Sequence, residues 1–123
     1  MIRFIFSFVV ICGICGCASD KFEHGPQGTI AYLVQVETSE PGARIEAENN
    51  YIGLSPLTLK IFGDRDGTFH NFGSQEYVVK AYPVHPGQIV QQKAFRTGGW
   101  FQPEDKVPTR IYFDLDAGKP PQK

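Results

Sequence analysis

The sequence predicts an all-β fold: a small single-domain β-sandwich or open barrel of about six strands, after a signal peptide that is cleaved. Three observations carry this reading. Apolar and polar residues alternate with period two in several short runs. Gly and Pro, 13 and 9 residues, interrupt the chain too often for a long helix. The one sustained apolar run sits at the N terminus, where it reads as an address rather than a fold. At 123 residues the chain holds one domain and no second sizeable core. Its 12 Lys and Arg against 13 Asp and Glu give a net charge of -1, which lacks the basic excess of a nucleic-acid binder.

Residues 1–17 read MIRFIFSFVVICGICGC. Arg3 supplies a positive start, and 4–14 is an apolar run of about eleven residues, signal-peptide length and short of the ~20 residues a membrane span needs. The chain then turns polar at Ser19, Asp20 and Lys21. All three cysteines, Cys12, Cys15 and Cys17, fall in this segment. Cleavage before Cys17 leaves a single cysteine, which excludes an intramolecular disulfide. Cys15-Gly16-Cys17 is a poor metal or redox pair because no other ligand stands nearby. A stray thiol and a lipidation site remain.

Ile14-Cys15-Gly16-Cys17 resembles the lipobox of bacterial lipoproteins: an aliphatic residue, a small residue, Gly or Ala, then Cys. The resemblance implies diacylglycerol in thioether linkage to Cys17, cleavage between Gly16 and Cys17, and acylation of the new amino group. Residues 1–16 are then the signal peptide, and the partner is a membrane held through the lipid. Two or more acyl chains anchor stably where one is marginal. Ala18, rather than Asp, after the cysteine implies the outer membrane in a Gram-negative cell. Residues 17–28 follow as a lipidated tether. Its 18–28 part, ASDKFEHGPQG, is small, polar and Gly/Pro-containing, with a reach of at most ~35 Å.

The body, 29–116, reads as strands in order. In 29–37, Ile30, Tyr32, Val34 and Val36 fall on one face. Ala43, Ile45 and Ala47 alternate with Arg44, Glu46 and Glu48. Leu57, Leu59 and Ile61 alternate with Thr58 and Lys60. Tyr77, Val79 and Ala81 alternate with Val78, Lys80 and Tyr82. Residues 89–95 make a weaker strand containing Gln91, Gln92 and Lys93. Ile111 and Phe113 alternate with Arg110, Tyr112 and Asp114. The tail 117–123 has the composition of a disordered segment.

Turn residues separate these runs. Ser39-Glu40-Pro41-Gly42 turns the chain, Pro fixing φ and Gly tolerating its positive range. Glu48-Asn49-Asn50 reads as a hairpin tip. Gly53-Leu54-Ser55-Pro56 bends it again, with Pro56 holding Ser55 extended. Taken together, 41–61, PGARIEAENNYIGLSPLTLKI, resembles the PEGA domain. Gly42-Ala43, Ile45, Ala47, Tyr51, Gly53, Ser55, Pro56, Leu57 and Leu59 match its pattern. Glu48-Asn49 stands in place of the usual Asp-Gly tip, and the residue usual between Pro and Gly-Ala is missing. The resemblance implies a small β-sandwich of cell-envelope proteins without catalytic activity.

The chemistry-bearing residues support no catalytic or metal site. Gly63-Asp64-Arg65-Asp66-Gly67 superficially matches the start of a calcium loop, but its twelfth position from Asp64 is Gln75 where such a loop needs an acid. His24, His70 and His85 lack metal spacing. Glu104-Asp105 and Asp114/Asp116 read as a solvated loop and a strand end rather than an acid/base pair. Nothing implies a cofactor. The aromatic residues stand out: Phe69 and Phe72 in a long 62–75 connection, and Phe95, Trp100 and Phe101 around Arg96-Thr97-Gly98-Gly99. Either they cap the small core, or they form an exposed platform for an envelope polysaccharide or an envelope protein. The expected role is a lipid-anchored, non-catalytic envelope protein that binds or spaces, with the 63–75 loop and the 95–101 segment, and in them those five aromatics, as its candidate surface.

Overall fold

The computed structural model describes residues 22–117; Cys17, the expected signal peptide over 1–16 and residues 118–123 lie outside them. Seven strands run in order: β1 (Ile30–Thr38), β2 (Arg44–Ala47), β3 (Asn50–Leu54), β4 (Leu57–Gly63), β5 (Glu76–Ala81), β6 (Gln91–Arg96) and β7 (Arg110–Phe113). They form a three-stranded sheet, β4-β1-β7, and a four-stranded sheet, β3-β2-β5-β6. The sheets do not close into a barrel. β4 runs antiparallel to β1, from Ile30↔Gly63 to Val36↔Leu57. β7 lies parallel to the end of β1, from Gln35↔Arg110 to Thr38↔Phe113. All pairs in the second sheet are antiparallel.

The period-two pattern places the core. Val34 and Val36 of β1, Leu59 and Ile61 of β4, and Ile111 and Phe113 of β7 meet Ile45, Ala47, Val79 and Ala81 of the other sheet in one buried cluster. Apolar burial of this kind contributes roughly 25 cal/mol per Å² removed from water and is the main favourable contribution to folding. Tyr77 joins the cluster from its rim, and burial, with Glu48 nearby, pushes its phenol up to about 12.

The strand beyond the expected six is β3. The tip is a two-residue turn: Ala47 pairs with Asn50, and Glu48 and Asn49 sit in the left-handed region, at φ 52° and 67°, as this hairpin type demands. Glu48 tolerates that geometry because it joins β5: its N–H donates to the Val78 carbonyl at 2.8 Å and its carboxylate accepts the Val78 N–H at 2.8 Å. The returning arm, NYIGL, does not alternate in burial because it is an exposed edge. The register shifts between Ile45 and Glu46, leaving Ile52 as an unpaired bulge residue on β3.

The motif residues of 41–57 converge at the corner where β3 hands over to β4. Ser55 is buried; its Oγ accepts the Ala43 N–H at 3.1 Å, its own N–H donates to the Ala43 carbonyl and its carbonyl accepts the Gly42 N–H, both at 2.8 Å. Gly42 has φ 91°, open to glycine at little strain.

Two boundaries move. Ile89 and Val90 precede β6 and are exposed, so the strand expected over 89–95 starts two residues late. Of the expected tether, 23–28 is fastened to the domain. Glu23 accepts the Ala31 N–H at 2.8 Å, His24 pairs with Ile30, and Lys60 Nζ meets the Glu23 carboxylate at 2.6 Å.

Candidate binding site at one end of the sandwich

The register fixes which loops meet. Because Ile30 pairs with Gly63, the 64–75 connection emerges at the end of the sandwich where β1 begins. The 97–109 connection lies against it. The Val107 N–H donates to the Gly67 carbonyl at 2.8 Å, Thr68 bridges Lys106, and the Phe69 N–H donates to the Asp105 carbonyl at 3.0 Å. Farther out, Asn71 Nδ2 donates to the Gly98 carbonyl at 3.0 Å, the Thr97 N–H donates to the Gln75 carbonyl at 3.0 Å, and the Thr97 hydroxyl donates to the Ser74 carbonyl. The Gly63-Asp64-Arg65-Asp66-Gly67 stretch is a turn: the Gly67 N–H donates to the Asp64 carbonyl at 3.0 Å, and Asp66 Oδ1 accepts both the Thr68 N–H and hydroxyl. Those Thr68 donors hold the Asp66 carboxyl below its usual value.

Residues 96–105 form a hairpin on this base. The Asp105 N–H donates to the Arg96 carbonyl at 2.9 Å, and the Gly99 N–H donates to the Gln102 carbonyl at 3.1 Å. Asp105 clamps the base by accepting the Arg96 N–H at 2.7 Å and the guanidinium at 2.9 Å. The guanidinium bond, then the backbone N–H, hold the Asp105 carboxyl below its usual value. Trp100 and Phe101 occupy the two tip positions between Gly99 and Gln102.

The five expected aromatics divide. Trp100 and Phe101 are 91% and 92% exposed, with ring centroids 6.3 Å apart and planes 52° from parallel. Phe72 is 46% exposed and stands edge-on to His70 at 4.5 Å. Phe69 is not a surface residue: it is 1% exposed, because the pairing of Gly63 with Phe69 folds the loop back over the open end of the sheets. Phe95 stacks on it at 5.0 Å and belongs to the core rim. A small domain fills its ends with whatever large side chains the topology delivers.

Between the two loops lies an open groove of ≈ 430 Å³, lined by Asp64, His70, Asn71, Gln102, Glu104 and residues 97–99. Asp64, His70 and Asn71 fall within the 63–75 loop that the sequence offers as surface, whereas Gln102 and Glu104 lie outside both expected segments and join them only through the pairing of the two loops. His70 spans the groove wall, with Nδ1 2.8 Å from Asp64 Oδ1 and Nε2 2.9 Å from Gln27 Oε1. The hairpin arms pass closely: a Cβ on Gly98, φ 99°, would stand 2.9 Å from Glu104 Cγ. Among the described residues no group of three or more His, Cys, Asp or Glu is placed to hold a metal ion, and no helix is long and apolar enough to cross a membrane. Comparison of the chain with protein families, with curated proteins and with solved structures gives no match.

Proposed function

We propose that the protein is a lipid-anchored, non-catalytic binding protein of the bacterial envelope, attached through Cys17 and recognising its partner with the Trp100 hairpin. One observation carries the binding reading: two large aromatic side chains stand side by side, both more than nine-tenths exposed, at the tip of a hydrogen-bonded hairpin. Tight turns favour Gly, Asn, Asp and Pro, and Trp and Phe gain nothing for the fold where they touch so little of it. Anchoring rests on the lipobox resemblance of 14–17. The test has two arms. Cys17→Ala should leave an uncleaved precursor without acyl label; a labelled mutant ends the anchoring claim. The full chain should retain a defined component from solubilised envelope, and Trp100→Ala should lose it.

A subunit role in an envelope complex is the second reading. It is favoured by the exposed Tyr51 and Leu54 on the edge strand β3. The Ile52 bulge counts against strand addition there, since bulges blunt edges.

A further inference from the structure

We infer that the groove takes an uncharged sugar chain that runs on from it onto Trp100 and Phe101, which stand at the hairpin tip between the lining residues Gly99 and Gln102. This rests on the binding reading above and narrows it to a ligand class. The polar groups decide the class. Gln102 and Glu104 both line the groove. Among the described residues, neither side chain makes a hydrogen bond or ion pair, in contrast to Asp64, His70 and Asn71, which are held by Gln27, Gly73 and Gly98 or by one another. The groove therefore presents one carboxamide, which both donates and accepts, and one carboxylate, which accepts two O–H or N–H donors.

The groove lining contains Asp64 and Glu104 but no Lys or Arg. An anionic polymer would bring like charge against those carboxylates without a cation to offset it. A bilayer surface rich in anionic headgroups is disfavoured for the same reason. A pyranose has the complementary chemistry. Its C–H face carries partial positive charge and stacks on the negative face of an aromatic ring. Its hydroxyls project from the rim of that face, where a carboxylate and a carboxamide are needed. The two rings are tilted by 52°, so they offer two separate platforms to successive residues of a twisted chain rather than one flat shelf.

Trp100 is the only tryptophan, so its emission reports the site directly. The full chain, held in a detergent without sugar headgroups, is titrated with the N-acetylglucosamine hexamer, a neutral glucan hexamer, an oligogalacturonate, a Lys-rich peptide, and vesicles of zwitterionic and anionic lipid. Calorimetry follows the variants, and far-ultraviolet circular dichroism confirms that they fold. A neutral oligosaccharide should give a saturable emission change. Trp100→Ala should weaken its binding at least tenfold, and Glu104→Gln and Gln102→Ala several-fold each. Binding of oligogalacturonate, peptide or vesicles with the same dependence on Trp100, and none of neutral sugar, overturns the ligand class and leaves the binding hairpin standing. Silence with every probe and with envelope extract overturns both. Neutral-sugar binding that survives Trp100→Ala and Glu104→Gln overturns the assignment of the site.

Discussion

Replacing Phe69 by Ala tests the division of the aromatics into core and surface. Phe69 is 1% exposed and packs against Phe95 and Tyr77 at ring separations of 5.0 and 5.6 Å. Truncating a phenylalanine buried to this degree costs about 3–5 kcal/mol, transfer and cavity together, of which the ring pairs account for roughly 0.5–1.5 kcal/mol each. A domain of this size is stable by only about 5–15 kcal/mol. The substitution therefore removes about a fifth or more of the total, and at about 4–8 °C per kcal/mol it lowers the melting temperature by at least ~12 °C. Urea and thermal unfolding of the full chain, followed by far-ultraviolet circular dichroism, read the loss. Phe101→Ala is the control: at 92% exposed it should change stability by no more than about 0.5 kcal/mol. A Phe69→Ala loss under ~1 kcal/mol would refute the reasoning. The 62–75 loop would then be a free surface loop, and the groove wall it builds would have no fixed shape.

Other expectations follow from single contacts. Trp100 is already 91% exposed, so its emission maximum should hardly move on urea unfolding; a blue-shifted native spectrum contradicts an exposed tip. Glu48→Ala strips the Val78 N–H of its carboxylate acceptor and should cost about 1–3 kcal/mol in urea unfolding, whereas Glu48→Gln, which keeps an acceptor, should cost less. Asp105 has its carboxyl lowered from 3.8 by Arg96. Its contribution is therefore full above the unfolded-state value and is lost as pH falls through the lower folded value. Protection factors of the residue-105 and Gly99 amides, taken against the intrinsic exchange rate at each pH, should fall as pH drops below about 3.8 and should be lower in Asp105→Ala at neutral pH; unchanged protection in either case contradicts the clamp.

Much of the fold was legible because burial is two-sided and local. Val34, Val36, Leu59, Ile61, Val79 and Ala81 announce their faces by alternation alone, since successive strand side chains point to opposite sides. β3 was harder to read because an edge strand buries neither face: Tyr51, Ile52 and Leu54 are all exposed, and the bulge shifts the register midway. Its existence was nonetheless implied by the Glu48-Asn49 tip, which needs a returning arm. Residues 23–28 looked like a linker because Gly25, Pro26 and Gly28 dominate the composition. What fastens them is pairing with β1, and Gly25 is required there: a Cβ would stand 2.4 Å from the Phe62 ring. The candidate site was half legible. Trp100 and Phe101 stand out beside Gly98-Gly99, but a sequence cannot separate them from Phe69 and Phe95. That difference arises from the pairing of Gly63 with Phe69, which turns the loop inward, and from the long-range pairing of Thr68 with Lys106.

The hairpin itself gives the strongest argument that the exposed pair is there for recognition. A mobile loop could display aromatics at little cost to folding, but it would lose that freedom on binding, at about 0.5–1.5 kcal/mol per immobilised side chain with backbone ordering added. Here the backbone ordering is done in advance. Arg96 and Asp105 lock the base through backbone and side-chain bonds, Asn71 and Ser74 hold the outer arm through Gly98 and Thr97, and the Gly99–Gln102 bond closes the tip. Gly98 at φ 99° lets the two arms approach where a side chain would strike Glu104. These bonds stabilise a conformation whose two most apolar members face water. Such an arrangement conflicts with turn chemistry and with burial at the same positions, and conflicts of that kind concentrate at functional sites. Cutting the clamp without touching the rings separates the two ideas: Asp105→Ala should weaken ligand binding while leaving Trp100 and Phe101 as exposed as before. Equal affinity in that variant would mean that the rings alone suffice and that the hairpin's rigidity contributes nothing to recognition.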